Sequence, residues 1–323
     1  MTKYVVSGYI GFDNFGDEAI AKVLTSKLKN LQAEKITLLS ANPNKTAKLY
    51  NVESEYYLKF FRPIIETDVL ISGGGSLLQD ITSLKSLIYY LTVIVTALVF
   101  NKKVIIFAQG FTPFRTKIGE FFTKFVLKHC HKIYVRDTKS QEILKKMDLK
   151  SELVSDPVYD LKHTGEISHS GVGIQLRSFP TLNDNFLIKL ANKIEEKFCN
   201  EEIKIYSLQD SLDYDVAQTF QKILESKNIK SKIYCEMNVD KTINELSNLE
   251  YLIGMRFHAN LVAAKAGVKV LGINYDIKVL NLAKHVGFPI IGLEQEDFSS
   301  EFNDLLAIDT SKYNIPTFNF PEI

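Results

Sequence analysis

Short runs rich in Val and Ile alternate with longer amphipathic runs, and the alternation occurs twice along the chain. Tyr4–Gly8, Ile36–Leu39, Val69–Ser72, Val104–Ala108 and Ile133–Val135 read as strands. Asp17–Leu31, Leu84–Phe100, Lys117–Cys130 and Thr138–Met147 read as the helices between them. Alternation at this spacing means βαβ units and a parallel sheet covered on both faces. The pattern breaks at Ser155-Asp156-Pro157 and in the polar stretch Lys162–Ser170 (KHTGEISHS), which marks a linker. It restarts with strand candidates Val172–Leu176, Ile203–Leu208, Lys232–Cys235, Tyr251–Ile253 and Val268–Ile273. Helices are predicted at Asn185–Phe198, Tyr214–Leu224, Lys241–Leu246, Phe257–Ala266 and Lys278–Val286. The chain therefore reads as two α/β domains, residues 1–160 and 171–323, their parallel sheets facing a cleft. Its 323 residues suit two domains of ordinary size.

Lys and Arg number 39 against 38 Asp and Glu, a net charge of +1 that argues against a chain built to coat nucleic acid. Cys130, Cys199 and Cys235 are widely spaced and odd in number, so neither a disulfide framework nor a CxxC metal clip is expected. A reducing, cytoplasmic setting follows. The N-terminus runs at once into a strand-like segment and lacks the apolar core of a signal peptide. Ser86 to Asn101 carries no charge but falls short of the ~20 apolar residues that cross a bilayer; it reads as a buried helix against a sheet. Between Arg115 and Lys132, Lys117, Lys124 and Lys128 accompany Phe121, Phe122, Phe125 and Val126, with Glu120 the only acid. Such a helix either packs on the sheet with a solvated basic face or makes peripheral contact with an anionic membrane at its inner face.

Chemistry-bearing residues gather where predicted strands end. Gly8-Tyr9-Ile10-Gly11-Phe12-Asp13-Asn14-Phe15-Gly16-Asp17-Glu18 follows the first strand, a geometry that offers backbone N–H groups to an anion. Its glycine spacing fits neither GxGxxG nor the Walker A pattern, which disfavours nicotinamide and ATP phosphates. Asp17 can cap the helix, whereas Asp13 and Asn14 sit mid-loop and are candidates to face substrate. Gly73-Gly74-Gly75-Ser76 suggests a nest of N–H groups for a phosphate or carboxylate. Gln79-Asp80 beyond it could orient a sugar hydroxyl or finish a turn. Arg136-Asp137 and Arg177 end two further strands, and a guanidinium forks onto carboxylate or phosphate. The densest cluster is Gly254-Met255-Arg256-Phe257-His258-Ala259, where an imidazole able to act as acid or base stands beside a fixed cation. Asn274-Tyr275-Asp276-Ile277-Lys278 follows the next strand, Asp276 being also a possible cap. No His/Glu cluster with metal spacing and no GxSxG elbow occurs, so no metal and no cofactor are expected.

Two Rossmann-like domains suit GT-B-type enzymes, and the motifs themselves resemble the polysaccharide pyruvyl transferase family. The resemblance rests on Gly8-Tyr9-Ile10-Gly11 with Asn14 to Glu18, and on Ser72-Gly73-Gly74-Gly75-Ser76-Leu77-Leu78-Gln79-Asp80. It continues through Arg136-Asp137 with Ser140, Asp156-Pro157, Gly254 to His258, and Tyr275-Asp276 with Lys278. One departure is Gln109-Gly110-Phe111-Thr112-Pro113, where the family commonly reads Gln-Gly-Ile-Gly-Pro, and it bears on acceptor choice. The resemblance implies transfer of pyruvate from phosphoenolpyruvate to two hydroxyls of a cell-surface glycan or its lipid-linked precursor, forming a ketal. It implies phosphoenolpyruvate binding by Arg136, Arg256 and His258, with Arg177 as a further cation. His258 would be catalytic, and Asp13 is the candidate for orienting or deprotonating a sugar hydroxyl. Gly11, Asn14, Gly73, Gly74, Gly75, Ser76, Gln109, Tyr275 and Lys278 would line the anion and acceptor loops. The alternatives are a GT-B glycosyltransferase using a nucleotide sugar and a non-catalytic glycan-binding protein. The chain has no Trp for a stacking platform, which speaks against the latter.

Overall fold

The computed structural model describes residues 1–81 and 83–323. These form two compact units, one of residues 1–161 with 317–323 and one of residues 162–316. In the first, β1 (Lys3–Ile10), α1 (Phe15–Asn30), β2 (Lys35–Ser40), α2 (Pro43–Tyr50), β3 (Glu53–Tyr56), α3 (Phe61–Glu66) and β4 (Val69–Gly73) come first. They are followed by α4 (Leu84–Val99), β5 (Lys103–Gln109), α5 (Lys117–Leu127), β6 (Lys132–Val135), α6 (Thr138–Lys146) and β7 (Glu152–Leu153). The strands make one parallel sheet in the order β3-β2-β1-β4-β5-β6-β7, with Tyr4 opposite Val69 and Ile71 opposite Ile105. The chain steps outward from β1 to β3, returns to β4, and steps the other way to β7. Right-handed crossovers then put α1 and α2 on one face and α3 to α6 on the other. Every residue of β4 is buried, as a parallel strand covered on both faces must be.

The α3–α6 face closes over Val5, Leu70 and Ile106, which pack with Ile64, Leu87, Ile94 and Val126. Burial of each such side chain contributes about 1.5–3 kcal/mol. Helix α1 starts where Asn14 accepts a hydrogen bond from the Gly16 N–H, with Asp17 and Glu18 in its first turn and Lys27 and Lys29 in its last. The C-terminal segment returns to this unit. Phe318 and Phe320 pack on Phe107, and the Glu322 carbonyl accepts from the Tyr134 hydroxyl at 2.8 Å. Residues 317–323, which the sequence places in the second domain, lie instead with the first unit, where these two aromatics anchor them.

The second unit runs β8 (Val172–Gln175), α7 (Asp184–Phe198), β9 (Ile203–Tyr206), α8 (Asp210–Ser226), β10 (Ser231–Tyr234), α9 (Val239–Ser247) and β11 (Tyr251–Gly254). It continues with α10 (Phe257–Lys265), β12 (Lys269–Asn274), α11 (Ile277–Val286), β13 (Ile290–Gly292) and α12 (Ser299–Ala307). Its parallel sheet has the order β10-β9-β8-β11-β12-β13, and Ile174, Ile253, Phe220 and Phe302 share one core. The polar stretch before β8 lies along α9. Thr164 and Ser168 N–H groups donate to the side-chain oxygens of Asn244 and Asn248, each at 2.9 Å.

Among the described residues no helix is long and apolar enough to cross a membrane. Helix α4 is not simply buried, however. Leu87, Tyr90 and Ile94 face the core while Leu84, Ile88, Val95 and Val99 are exposed.

Candidate functional site

An open parallel sheet binds its ligands beyond the carboxyl ends of its strands, where the strand order reverses. In the first unit that point lies between β1 and β4; in the second it lies between β8 and β11. The motif residues picked out in the sequence cluster at these two points and on the strands beside them.

At the β1/β4 point, the turn after β4 owes its glycines to local packing. Gly74 and Gly75 have φ of +80° and +71°, the region that favours glycine. A Cβ on Gly74 would strike Ile20 of α1, and one on Gly75 would come within 2.6 Å of Asp17 Oδ1. The acid against this turn is therefore Asp17, which the sequence reading assigned to capping. Asn14 is the cap instead, accepting from Gly16 N at 3.1 Å. Asp13 is exposed and paired with Lys45 Nζ at 2.6 Å, at a left-handed φ of +56°. Gly11 is held by its N–H, which donates to Glu18 Oε1 at 2.6 Å. Burial pushes the Glu18 carboxyl above its ordinary range, although the Tyr50 hydroxyl and the Gly11 N–H work against that.

Arg136, at the end of β6, is almost wholly buried. Its Nη1 donates to Asp156 Oδ2 at 2.8 Å, and Nη2 lies 3.4 Å from Ser76 Oγ. A Cβ on Gly110 would lie 2.9 Å from Arg136 Nε, so only glycine lets the guanidinium lie over this loop. Asp137 caps α6 through the Ser140 N–H at 2.7 Å. Gln109 is fully buried; its Nε2 reaches Ser72 Oγ at 3.2 Å and ties β5 to β4, while its Oε1 has no hydrogen-bond partner among the described residues. Asp80 accepts from Arg115 N, Thr116 N and Thr116 Oγ1 at 2.7, 2.8 and 2.5 Å. Burial alone would raise the Asp80 carboxyl, but these donors outweigh it and hold the group below the usual carboxylate range. Asp80 thus anchors the loop before α5.

At the β8/β11 point, Arg256 caps a buried network. Its Nε and Nη2 donate to Asp213 Oδ2 and Oδ1 at 2.7 and 2.6 Å, and Nη2 also reaches Gln209 Oε1 at 3.0 Å. Asp213 is 0% exposed and accepts further bonds from Leu208 N and Gln209 N at 3.0 and 3.1 Å. Gln175 Oε1 accepts from Arg256 N at 2.7 Å. Asp213, Gln209 and Gln175 were not picked out in the sequence. Asp213 had one signal: it shares the helical register of the buried residues Val216, Ala217, Phe220 and Leu224 of α8.

Arg177 differs from the other two arginines. It makes no ion pair among the described residues, and its Nε is buried with no hydrogen-bond partner. Nη1 lies 3.4 Å from the Tyr275 hydroxyl, and the guanidinium carbon is 5.6 Å from the Tyr275 ring centre. Tyr275 in turn packs edge-on against Phe179. His258 is half-buried in the first turn of α10, its ring edge-on to Phe257 at 5.0 Å. Asp276 caps α11 through the Lys278 N–H at 2.9 Å. The structure thus brings Arg177, Arg256, His258 and Tyr275 to neighbouring strand ends in one unit, and Gly11, the Gly73–Ser76 turn and Arg136 to neighbouring strand ends in the other.

No group of three or more His, Cys, Asp or Glu that could hold a metal occurs among the described residues. Burial pushes the Cys130 thiol up to about 12.

A family profile of polysaccharide pyruvyl transferases matches residues 14–277, well over half of the chain. No curated protein sequence matches it. In fold, the chain is similar to the UDP-GlcNAc 2-epimerase of Methanocaldococcus jannaschii, at 11% identity and a TM-score of 0.70 over 99% of this chain and 96% of that one. It is also similar to the UDP-GlcNAc 2-epimerase of Neisseria meningitidis, at 13% identity and a TM-score of 0.65 over 95% and 91%. A glycosyltransferase from Rickettsia africae matches at 10% identity and a TM-score of 0.63 over 97% and 91%. These likenesses are of fold, and they bear out the GT-B-like pair of α/β units.

Proposed function

The chain belongs to the polysaccharide pyruvyl transferase family, and on that premise we propose that it transfers pyruvate from phosphoenolpyruvate to two hydroxyls of a glycan. Both hydroxyl oxygens bond to C2 of the enolpyruvyl group, and the bond from C2 to the phosphate oxygen breaks. One hydroxyl proton ends on C3, making a methyl group, and the other leaves with phosphate. The donor carries a carboxylate and a phosphate, so it needs cations whose charge is not already spent.

The observation that carries the reading is Arg177, an arginine without an ion pair and with an orphaned Nε, at the strand end beside the Arg256–His258 turn. A buried guanidinium N–H without an acceptor is costly unless a ligand supplies one. Arg177 holds a donor anion in this account. His258 supplies the proton at the reacting end. Arg256 and Arg136 are positioning residues that stiffen their turns through Asp213 and Asp156. In the first unit, the Gly73–Ser76 turn and Asp17 receive the sugar, with Asp17 orienting a hydroxyl in the role the sequence suggested for Asp13.

The test is phosphate release from phosphoenolpyruvate across a panel of nitrophenyl and lipid-linked saccharides. Acceptor-dependent phosphate, with a product heavier by one pyruvate less one water, is expected. A second reading, a nucleotide-sugar glycosyltransferase, is favoured only by the shared fold. It gains if UDP-sugars raise the melting temperature and phosphoenolpyruvate neither binds nor turns over.

A further inference from the structure

Helix α5 faces the wrong way for a core helix. Ile118, Phe121, Phe122 and Phe125, spaced i, i+3, i+4 and i+7, lie on its outer side at 67%, 64%, 53% and 58% exposure. Its buried side is thin, formed by Gly119, Thr123, Val126 and Leu127. Helix α4 lies against it, the Gly119 position closing on Leu87, and turns out the stripe of Ile88 and Val95. Exposed Thr92 in that stripe donates its hydroxyl back to the Ile88 carbonyl at 2.8 Å, which removes a donor that would resist an apolar phase. The two helices share one face of the sheet. Monomeric proteins rarely leave so many large apolar groups together in water.

The charges around this face select its occupant. Between Ser83 and Lys128 stand Lys85, Lys102, Lys103, Arg115, Lys117, Lys124 and Lys128 against the single acid Glu120, in a chain whose net charge is only +1, and Lys124 is paired with Asp148 at 2.8 Å. Lys85, Arg115, Lys117 and Lys128 are exposed and make no ion pair among the described residues. A two-fold contact between copies would bring two such cationic faces together, which is unfavourable. An anionic lipid surface complements both the phenylalanines and the lysines.

We propose that the outer face of α4 and α5 docks on an anionic lipid bilayer, inserting Ile118, Phe121, Phe122 and Phe125 among the headgroups. The inference stands apart from the transferase reading, since vesicle binding is measured without turnover. The full chain is sedimented with phosphatidylcholine vesicles with or without about one-third phosphatidylglycerol. Binding at least about tenfold tighter to the anionic vesicles, weakening as salt rises, is expected. The variant Phe121→Ser, Phe122→Ser, Phe125→Ser should lose that binding while its melting temperature holds. Lys117→Glu with Lys128→Glu should weaken binding to anionic vesicles and leave the weak binding to neutral ones. Absence of wild-type binding to anionic vesicles, or full binding by the triple Ser variant, overturns the proposal. So does a wild-type dimer that the triple Ser variant converts to a monomer with no vesicle binding, because the face is then a contact between copies.

Discussion

The two switch points are built from different materials. Beside the β1/β4 point, the turn is mostly backbone, its buried glycines packed to the limit against Ile20 and Asp17, and the arginine near it is neutralised by buried Asp156. At the β8/β11 point, side chains dominate, and although Arg256 is neutralised by Asp213, Arg177 keeps its charge without an acid partner. A turn that offers a carboxylate and no unspent cation suits hydroxyls. A surface with an uncompensated guanidinium and an imidazole suits a small multiply charged anion. The lesson is that an arginine at a strand end is not by itself an anion site; what matters is whether the fold has already spent its charge.

That contrast can be broken in several ways. The largest effect is expected from His258→Ala, which should lower kcat for phosphate release about 10²–10⁴-fold with the fold intact, since the side chain is only half-buried. Near-normal turnover would remove His258 from the reaction. Next, Arg256→Met strands the buried Asp213 charge and should cost about 3–5 kcal/mol in denaturant unfolding, much of it recovered by adding Asp213→Leu. Full stability in the single variant would show that Arg256 is free for ligand after all. A smaller loss, about 1–3 kcal/mol, is expected from Asp80→Asn, because three donors would lose a charged acceptor. A carboxyl held below its ordinary range contributes stability above its unfolded pKa and loses it as pH falls through the folded one. The gap between wild type and Asp80→Asn should therefore close on acidification below the usual carboxylate range. A pH-independent gap would assign it to packing.

The sheets were legible because their central strands are apolar runs, and each of the ten strands read from sequence has its counterpart within two residues at either end. The three strands missed, β3, β7 and β13, are all sheet edges, and β3 (ESEY) has no apolar pattern to read. Helix α2 (PNKTAKLY) was missed for a similar reason, as only Thr46 and Tyr50 are buried. At the candidate site, Arg136, Arg177 and Arg256 stand just past strand ends and His258 opens the helix that follows one, as the sequence placed them. What sequence could not show is pairing across many residues: Asp156 lies 20 positions from Arg136, and Asp213 lies 43 from Arg256. Only the folded sheet reveals which guanidinium is spent. The same holds for Asp13 and Asp17, four positions apart where the loop after β1 enters α1, of which one meets Lys45 and the other the Gly75 turn.

The most direct test of the division between spent and unspent cations is Arg177→Ala, measured for both phosphoenolpyruvate kinetics and stability. No buried carboxylate is stranded by this change, so the melting temperature should stay at the wild-type value. The KM for phosphoenolpyruvate should rise about 10–100-fold, the loss of one charged hydrogen-bond contact, with the acceptor KM little changed. An unchanged KM for phosphoenolpyruvate, or an effect confined to the acceptor, would contradict the account.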